Sequence, residues 1–551
     1  MNPAYEPLFT PFSIRNTRIK NRYFMAAMGT VTHNDEDGAY LPDAVDYFVR
    51  RAAGGVGLII TGANWVDNNI EVHSPGSFPC PTICPGKYIK AARELTDRVH
   101  AFDTKIFVQL TAGLGRSAMP AMIHDRKFVA PSTISNRWNP RIECRELTTE
   151  EVERLVEQFG VSAAIAKKCG YDGVEVHAVH EGYLLDCFAM SLFNKRTDKY
   201  GCDLTGRLRF AIEIVQKIKQ YCGEDFPVIL RFSLKSYIKD LRQGAVPGET
   251  FTELGRDTDE GLQAARILVD AGYDALDVDA GTYDSWYWAH PPVYMPPNCN
   301  IADVEHIKNF TTKPVVCAGK MEPEFAAKEI AEGRIDAMGV GRQNLVDPEW
   351  INKLLEDREE EIKPCINCHN ACFNFNCSKG TPNMQPMDDA LHLARCALTP
   401  PTMQHNKYKI VPTKSPKKVA IIGAGIGGME CALVLKQRGH TPVIFEKTGE
   451  LGGLFLTASA MSFKENDKEL IRWYLNEIAK EGIDVRFNTE VTDAEYVSTI
   501  TAPGVKPVLQ DTVALTYADG SVESGHKVTW DSIPAAEYAE AEHPWEEYSS
   551  V

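Results

Sequence analysis

From residue 1 to about 360, short apolar runs rich in β-branched residues alternate with longer amphipathic stretches, the pattern of repeated strand–helix units. The runs at 23–28, 57–62, 105–110, 173–177, 227–232, 275–279, 314–318 and 336–341 predict eight strands. Eight strands with intervening helices over roughly 350 residues predict an α/β fold that opens with a (β/α)8 TIM barrel, its ligand site lying where the strands end. Those ends carry small and polar residues in succession: Ala27 and Met28, Gly62, Gln109, His177, Arg231, Asp279, Gly319 and Gly341. The last two begin Gly319-Lys320 and Gly341-Arg342, glycine turns each followed by a cation, at the strand ends where such barrels bind phosphate.

Past residue 360 the pattern changes. Cys365, Cys368, Cys372 and Cys396 fall in one short window, with Cys377 competing for the fourth place. Four thiolates so spaced suit a [4Fe–4S] cluster, with structural zinc as the rival. A Pro/Lys-rich linker at 411–416 precedes a strand at 418–422, the turn Gly423-Ala424-Gly425-Ile426-Gly427-Gly428, a helix at 426–438 and a strand at 441–446. Strand, glycine turn, helix and strand in this order predict a Rossmann-type nucleotide site: Gly423, Gly425 and Gly428 admit a pyrophosphate, and Glu446 is placed for a ribose hydroxyl. No second fingerprint follows Gly453, so this unit is expected to be partial and to lack an evident NAD(P)H subdomain, with 483–491 adding one more strand. The expected domains are 1–360, the barrel; 361–410, the cluster segment and linker; and 411–551, the partial nucleotide-binding unit.

Composition narrows the partners. A formal net charge of -16 argues against nucleic acid, which needs a basic face. No stretch reaches the roughly 20 apolar residues that span a bilayer, and no basic-then-apolar leader opens the chain, so a cytoplasmic protein without a membrane partner is expected. In that setting the 15 cysteines are thiols or metal ligands rather than disulfides. A homo-oligomer is expected.

Several motifs together resemble the flavin-dependent ene-reductases related to Old Yellow Enzyme, and within them the iron–sulfur branch of 2,4-dienoyl-CoA reductase, trimethylamine dehydrogenase and clostridial 2-enoate reductase. They are Leu8-Phe9, Asn21-Arg22, Ala26-Ala27-Met28, Arg51-Ala52-Ala53-Gly54-Gly55-Val56-Gly57, Gln109-Leu110-Thr111-Ala112-Gly113, Glu181-Gly182-Tyr183-Leu184-Leu185 and Asn194-Lys195-Arg196-Thr197-Asp198. The stretches Arg231-Phe232-Ser233-Leu234-Lys235-Ser236-Tyr237 and Asp277-Val278-Asp279-Ala280-Gly281-Thr282-Tyr283-Asp284-Ser285-Trp286-Tyr287-Trp288 look most like the 2-enoate reductase subgroup.

The resemblance implies FMN over the barrel mouth, contacted by Ala27, Met28, Gly62 and Gln109, with Arg231 beside its N1 edge and the Gly319-Lys320 and Gly341-Arg342 turns on its phosphate. It implies Tyr183 as proton donor and His177 with His180 as the binders of an activating oxygen. The interval from His177 to Tyr183 is one residue longer than the family's commonest, which leaves His180 as the alternative acid. Tyr283, Trp286 and Trp288 would wall the substrate pocket, with Asp284 as a polar member. Cys365, Cys368, Cys372 and Cys396 would hold the [4Fe–4S] cluster, and FAD would sit at the Gly423 turn, with NADH or a separate electron-donor protein as the source of electrons. The expected activity is reduction of a small α,β-unsaturated carboxylate or carbonyl. The alternatives are a steroid or bile-acid enone oxidoreductase and a non-catalytic electron-transfer subunit.

Overall fold

Eight parallel strands close into a barrel in strict chain order: β1 (Tyr23–Met28), β2 (Leu58–Trp65), β3 (Lys105–Thr111), β4 (Gly173–Val179), β5 (Val228–Ser233), β6 (Ala275–Asp279), β7 (Val315–Ala318) and β8 (Ala337–Val340). The computed structural model describes residues 1–30, 33–120, 122–125, 127–180, 182–373, 395–494 and 512–527. It divides into two compact units, Met1–Tyr408 and Lys409–Val551. Cys377 and the acidic 537–547 stretch lie outside the described residues. No helix among the described residues is long and apolar enough to cross a membrane.

Helices α1 (Pro42–Ala53), α2 (Pro85–His100), α3 (Thr149–Lys168), α4 (Leu204–Cys222), α5 (Thr258–Ala271) and α6 (Pro323–Ala331) follow strands of the barrel. Their starts are written in the sequence. Thr148 and Glu151 form a reciprocal capping box on α3, and Asp203 and Asp257 accept backbone N–H groups at the starts of α4 and α5.

The barrel interior changes character along its axis. Its lower layer is an apolar plug of Phe24, Leu58, Ile60, Phe107, Ile229, Ala275, Val316 and Ala337. Gly173 gives β4's place in that plug to Phe107, whose ring would lie 2.7 Å from an added Cβ. Above it the inward positions turn polar, with Gln109, Glu175, Arg231 and Asp277 from four successive strands. Side chains two apart on a strand share a face, so Glu175 with His177 and Asp277 with Asp279 carry this polar lining to the strand ends.

The second unit holds a parallel sheet of β9 (Lys418–Ile422), β10 (Thr441–Phe445) and β11 (Asp484–Arg486), with helices α7 (Ile426–Gln437) and α8 (Glu465–Lys480). The single strand expected at 483–491 is corrected to two pieces in different sheets. Asn488 adopts a left-handed φ of 53°, and Asn488 and Thr489 N–H groups donate to Thr448 and Glu446 carbonyls, which ends β11. The chain then starts β12 (Val491–Ala494), which pairs antiparallel with β13 (Thr512–Tyr517), itself paired with β14 (Val522–Lys527). The tail thus builds a second three-stranded sheet rather than only completing the first.

Candidate active site

The extra residue between His177 and Tyr183 is absorbed in the backbone. His177 pairs with Arg231 across β4 and β5, the next pair is Val179 with Phe232, and residue 178 is passed over as a bulge. Tyr183 is therefore not displaced. It sits at the start of a short helix, Leu184–Ala189, with its ring 4.7 Å from that of His177 at 77°.

Three strand ends meet there. His177 Nε2 is 3.1 Å from His180 Nδ1, and His180 Nε2 is 3.1 Å from Asp279 Oδ2. The carboxylate can only accept, so it assigns the proton to His180 Nε2; neutral His180 then accepts at Nδ1 from His177 Nε2–H. Asp279 Oδ2 also receives Arg231 Nη2, while Asp277 Oδ1 lies 2.6 Å from Arg231 Nη1. Tyr183 and Tyr283 share a hydroxyl–hydroxyl hydrogen bond of 2.6 Å, both rings being buried.

The aromatic residues after β6 divide. Tyr283 packs on Tyr183 at 5.2 Å and on Trp138 at 5.6 Å, and Trp286 lies 5.1 Å from Tyr283, so these two stand beside Tyr183. Phe373, from the cysteine segment, closes on Trp286 at 5.1 Å. Trp288 instead stacks on Tyr237 at 3.8 Å and donates its indole N–H to the Ala245 carbonyl, which commits it to packing. Asp284 is fully buried and takes Arg116 through both oxygens, at 2.6 and 3.3 Å; it anchors the loop instead of lining a pocket.

A flavin phosphate needs backbone N–H groups and open space at the ends of β7 and β8. Gly319 has φ of 128°, and a Cβ there would collide with the Asn300 amide; a Cβ on Gly341 would meet only Met28 Sδ, at 3.5 Å. Gly62 is crowded by the Met28 and Gly29 backbone, so the ends of β1, β2 and β8 approach closely. Lys320 points its ammonium at the Val293 and Met295 carbonyls, at 3.0 and 2.7 Å. Its share in phosphate binding is thus limited to the backbone of its turn. Arg342 meets the His369 imidazole of the cysteine segment. The turns, together with Gln109 and Arg231, fit an anionic, planar, phosphate-bearing group.

Cys365, Cys368, Cys372 and Cys396 line one pocket, with Arg342 and His369 in its wall. Cys396 is brought there by the lashing of its segment to the end of β8: Thr399 and Thr402 hydroxyls donate to the Val346 and Leu345 carbonyls at 2.7 and 2.6 Å. Leu398 N–H donates to Cys396 Sγ at 3.4 Å. Burial pushes the Cys372 thiol up to about 12 and the Cys396 thiol to about 11, so these thiols ionise only when a cation replaces the proton. No three His, Cys, Asp or Glu side chains among the described residues converge on one metal ion. Four thiols lining one pocket are the donor set that a [4Fe–4S] cluster or a structural zinc would take.

In the second unit, Gly423 has φ of 93°, Gly425 caps α7, and a Cβ on Gly428 would collide with the Gly423 carbonyl. Gly423 and Gly428 thus meet the backbone demands of a tight strand-to-helix turn. Glu446 closes the turn: its oxygens accept Ala424 N–H at 2.7 Å, and Thr448 N–H and hydroxyl at 2.8 Å. Burial works to raise its pKa, but these hydrogen bonds outweigh it and hold the carboxyl below the usual range.

Sequence reasoning passed over Glu175, Asp277, Arg116 and Glu71. The first two had a signal in Glu-Val-His and Asp-Val-Asp, polar pairs two apart inside apolar strands. Arg116 and Glu71 had none, since each acts on a loop distant in sequence. The buried Glu71 carboxylate accepts Leu114 and Gly115 N–H groups at 2.6 and 2.8 Å and shapes the loop after β3.

A polar barrel mouth with a tyrosine–histidine cluster, two phosphate-type turns and a Rossmann-type second unit define a flavin- and nucleotide-dependent oxidoreductase. Residues 7–361 match the NADH:flavin oxidoreductase / NADH oxidase family, and the chain belongs to it. Residues 401–522 match the pyridine nucleotide-disulphide oxidoreductase family. Among curated relatives, cinnamate reductase of Clostridium sporogenes is 45% identical over 489 residues, covering 89% of this chain and 72% of that one. An NADH oxidase of Thermoanaerobacter brockii is 35% identical over 514 residues, covering 91% and 73%. The solved structure of 2-naphthoyl-CoA reductase with 2-naphthoyl-CoA superposes with a TM-score of 0.76 at 26% identity, covering 91% of this chain and 76% of that one.

Proposed function

We propose that the chain is an ene-reductase for α,β-unsaturated carboxylates of aryl size, of the kind named by its cinnamate-reducing relative. The observation that carries this reading is the Tyr183–Tyr283 hydroxyl pair beside His177 at the end of β4, a proton donor with a built-in relay partner. When bound, a flavin held by Gln109, Arg231 and the Gly319 and Gly341 turns supplies the hydride that ends on the β-carbon.

The chain's own residues do the rest. Tyr183 gives its proton to the α-carbon and is resupplied by Tyr283 across 2.6 Å. In the neutral histidine chain the Nε2–H groups of His177 and His180 point inward, to His180 and Asp279. Holding an anionic substrate oxygen therefore takes one added proton, at His177 Nδ1, and the Asp279 carboxylate offsets the resulting charge. Tyr283, Trp286 and Phe373 supply an aromatic wall of mutually inclined rings for an aryl group and keep water from the tyrosine pair.

Cys365, Cys368, Cys372 and Cys396 would hold a [4Fe–4S] cluster, which would supply single-electron transfer, and the Gly423 turn would hold FAD, with NADH or a donor protein as the source of electrons. The test is anaerobic turnover of cinnamate by wild type and Tyr183→Phe. Wild type forms the saturated acid, and the variant, which keeps its flavin, loses about 10²–10⁴ in rate. Equal rates in the two proteins, or turnover of steroid enones alone, would remove this assignment.

A further inference from the structure

Three carboxyl groups, Glu175, Asp277 and Asp279, face one guanidinium, Arg231, in the dry interior of the barrel. The Arg231 side chain is 8% exposed, Asp279 2% and Asp277 0%, and Glu175 is equally buried. Asp277 and Asp279 already occupy the two ends of the guanidinium. An ionised Glu175 would put a third negative charge on a guanidinium already shared by two carboxyls, and an excess buried charge is too costly to keep.

The hydrogen bonds point the same way. Glu175 Oε1 accepts the Gln109 amide at 2.7 Å. Glu175 Oε2 and both Asp277 oxygens are buried without an aligned hydrogen-bond donor, yet the two carboxyls are near enough to interact. A single O–H between them satisfies Glu175 Oε2 and one Asp277 oxygen, and Asp277 Oδ1 lies 2.6 Å from Arg231 Nη1. We propose that Glu175 and Asp277 form a carboxyl pair holding one shared proton, and that the pair, acting through Arg231 and Gln109, sets the charge met by an electron-accepting group in the barrel mouth.

The strand register builds this pair. Gln109 stands opposite Glu175 across β3 and β4, and Arg231 stands opposite Asp277 across β5 and β6. The facing groups are Arg231 from β5, Asp279 from β6, His180 beyond β4, Gln109 from β3 and the Cys317 thiol from β7. Burial first, then the Asp277 charge, pushes the Glu175 carboxyl well above the usual range; burial also raises Asp277, against the pull of Arg231. The proton rests on Glu175, and Asp277 keeps the negative charge that partly neutralises Arg231. Both carboxyls are positioning residues, since neither touches the substrate.

The experiment has two arms. In the first, infrared spectra of wild type and Glu175→Gln are compared in H2O and D2O at neutral pH. The expected result is one protonated-carboxyl band, shifted by deuterium, that the variant lacks; no such lost band overturns the shared proton. The second arm rests on the flavin reading above, whereas the first does not. It measures the flavin midpoint potential in Glu175→Gln and Asp277→Asn, both near-isosteric. Glu175→Gln, which replaces an already neutral group, leaves the potential close to wild type, while Asp277→Asn frees Arg231 and raises it. A rise in Glu175→Gln as large as in Asp277→Asn, or no change in either, overturns the link to the electron acceptor.

Discussion

Replacing Asp284 by Asn tests whether the loop bearing Tyr283 and Trp286 is held by a buried charge. Asp284 takes Arg116 at 2.6 and 3.3 Å, lies 3.5 Å from Arg137 Nε and accepts Arg242 N–H at 2.9 Å. The Arg116 and Asp284 side chains are 2% and 0% exposed, so solvent does little to screen the pair. Removing one partner of a buried pair costs about 3–5 kcal/mol, because the survivor stays charged and unbalanced. Asn keeps an acceptor for Arg242, which places Asp284→Asn near the lower end, about 3 kcal/mol. With a urea dependence of about 3 kcal/mol per molar, the unfolding midpoint falls by about 1 M. A pair worth only the surface value of about 0–1 kcal/mol would move it by no more than about 0.3 M. The assay is urea unfolding followed by tryptophan fluorescence on anaerobic protein, alongside KM for the enoate, which rises as Tyr283 and Trp286 loosen. Joint replacement, Arg116→Met with Asp284→Leu, recovers much of the lost stability. A midpoint within about 0.3 M of wild type for Asp284→Asn would refute the reasoning.

Two further predictions follow from buried groups. Burial raises the Glu71 carboxyl from 4.5 to about 7, against the pull of the Leu114 and Gly115 N–H groups. The folded protein thus binds a proton that the unfolded chain has lost, so this group's contribution makes stability fall as pH rises from 4.5 to about 7, by about 3 kcal/mol in all. Glu71→Gln keeps an acceptor for only one of the two N–H groups, so it lowers the midpoint overall, but it removes the titrating group and flattens that slope in thermal midpoints measured from pH 4.5 to 8; parallel curves for the two proteins would count against it. Cys396→Ser loses cluster iron and sulfide on anaerobic purification whereas Cys377→Ser retains both, and the reverse pattern would move the fourth ligand to Cys377.

The eight barrel strands were legible because parallel strands covered on both faces read as continuous apolar runs, and their ends agree to within a few residues. The glycine turn at 423–428 was legible because two of its glycines answer to a steric demand, Gly423 by its positive φ and Gly428 by the collision a Cβ there would have with the Gly423 carbonyl. What stayed hidden was set by contacts distant in sequence. Asp284 read as a pocket residue because its partner, Arg116, lies 168 positions away. Trp288 read the same way until its stacking on Tyr237 was visible. The interval from His177 to Tyr183 left the placing of Tyr183 open, and only strand pairing reveals the bulge that absorbs the extra residue. The break at Asn488 left little trace, since an asparagine inside an alternating stretch does not announce a left-handed turn.

The most direct measurement is a single turnover. Protein purified anaerobically is bleached with one equivalent of dithionite-derived reductant per flavin and mixed with excess cinnamate, and the flavin absorbance and product are followed. The account predicts that the absorbance returns as one saturated acid forms per two electrons supplied, and that Tyr183→Phe slows this step while leaving bleaching unchanged. Flavin that stays bleached in wild type, in protein shown to hold its FMN, would contradict it.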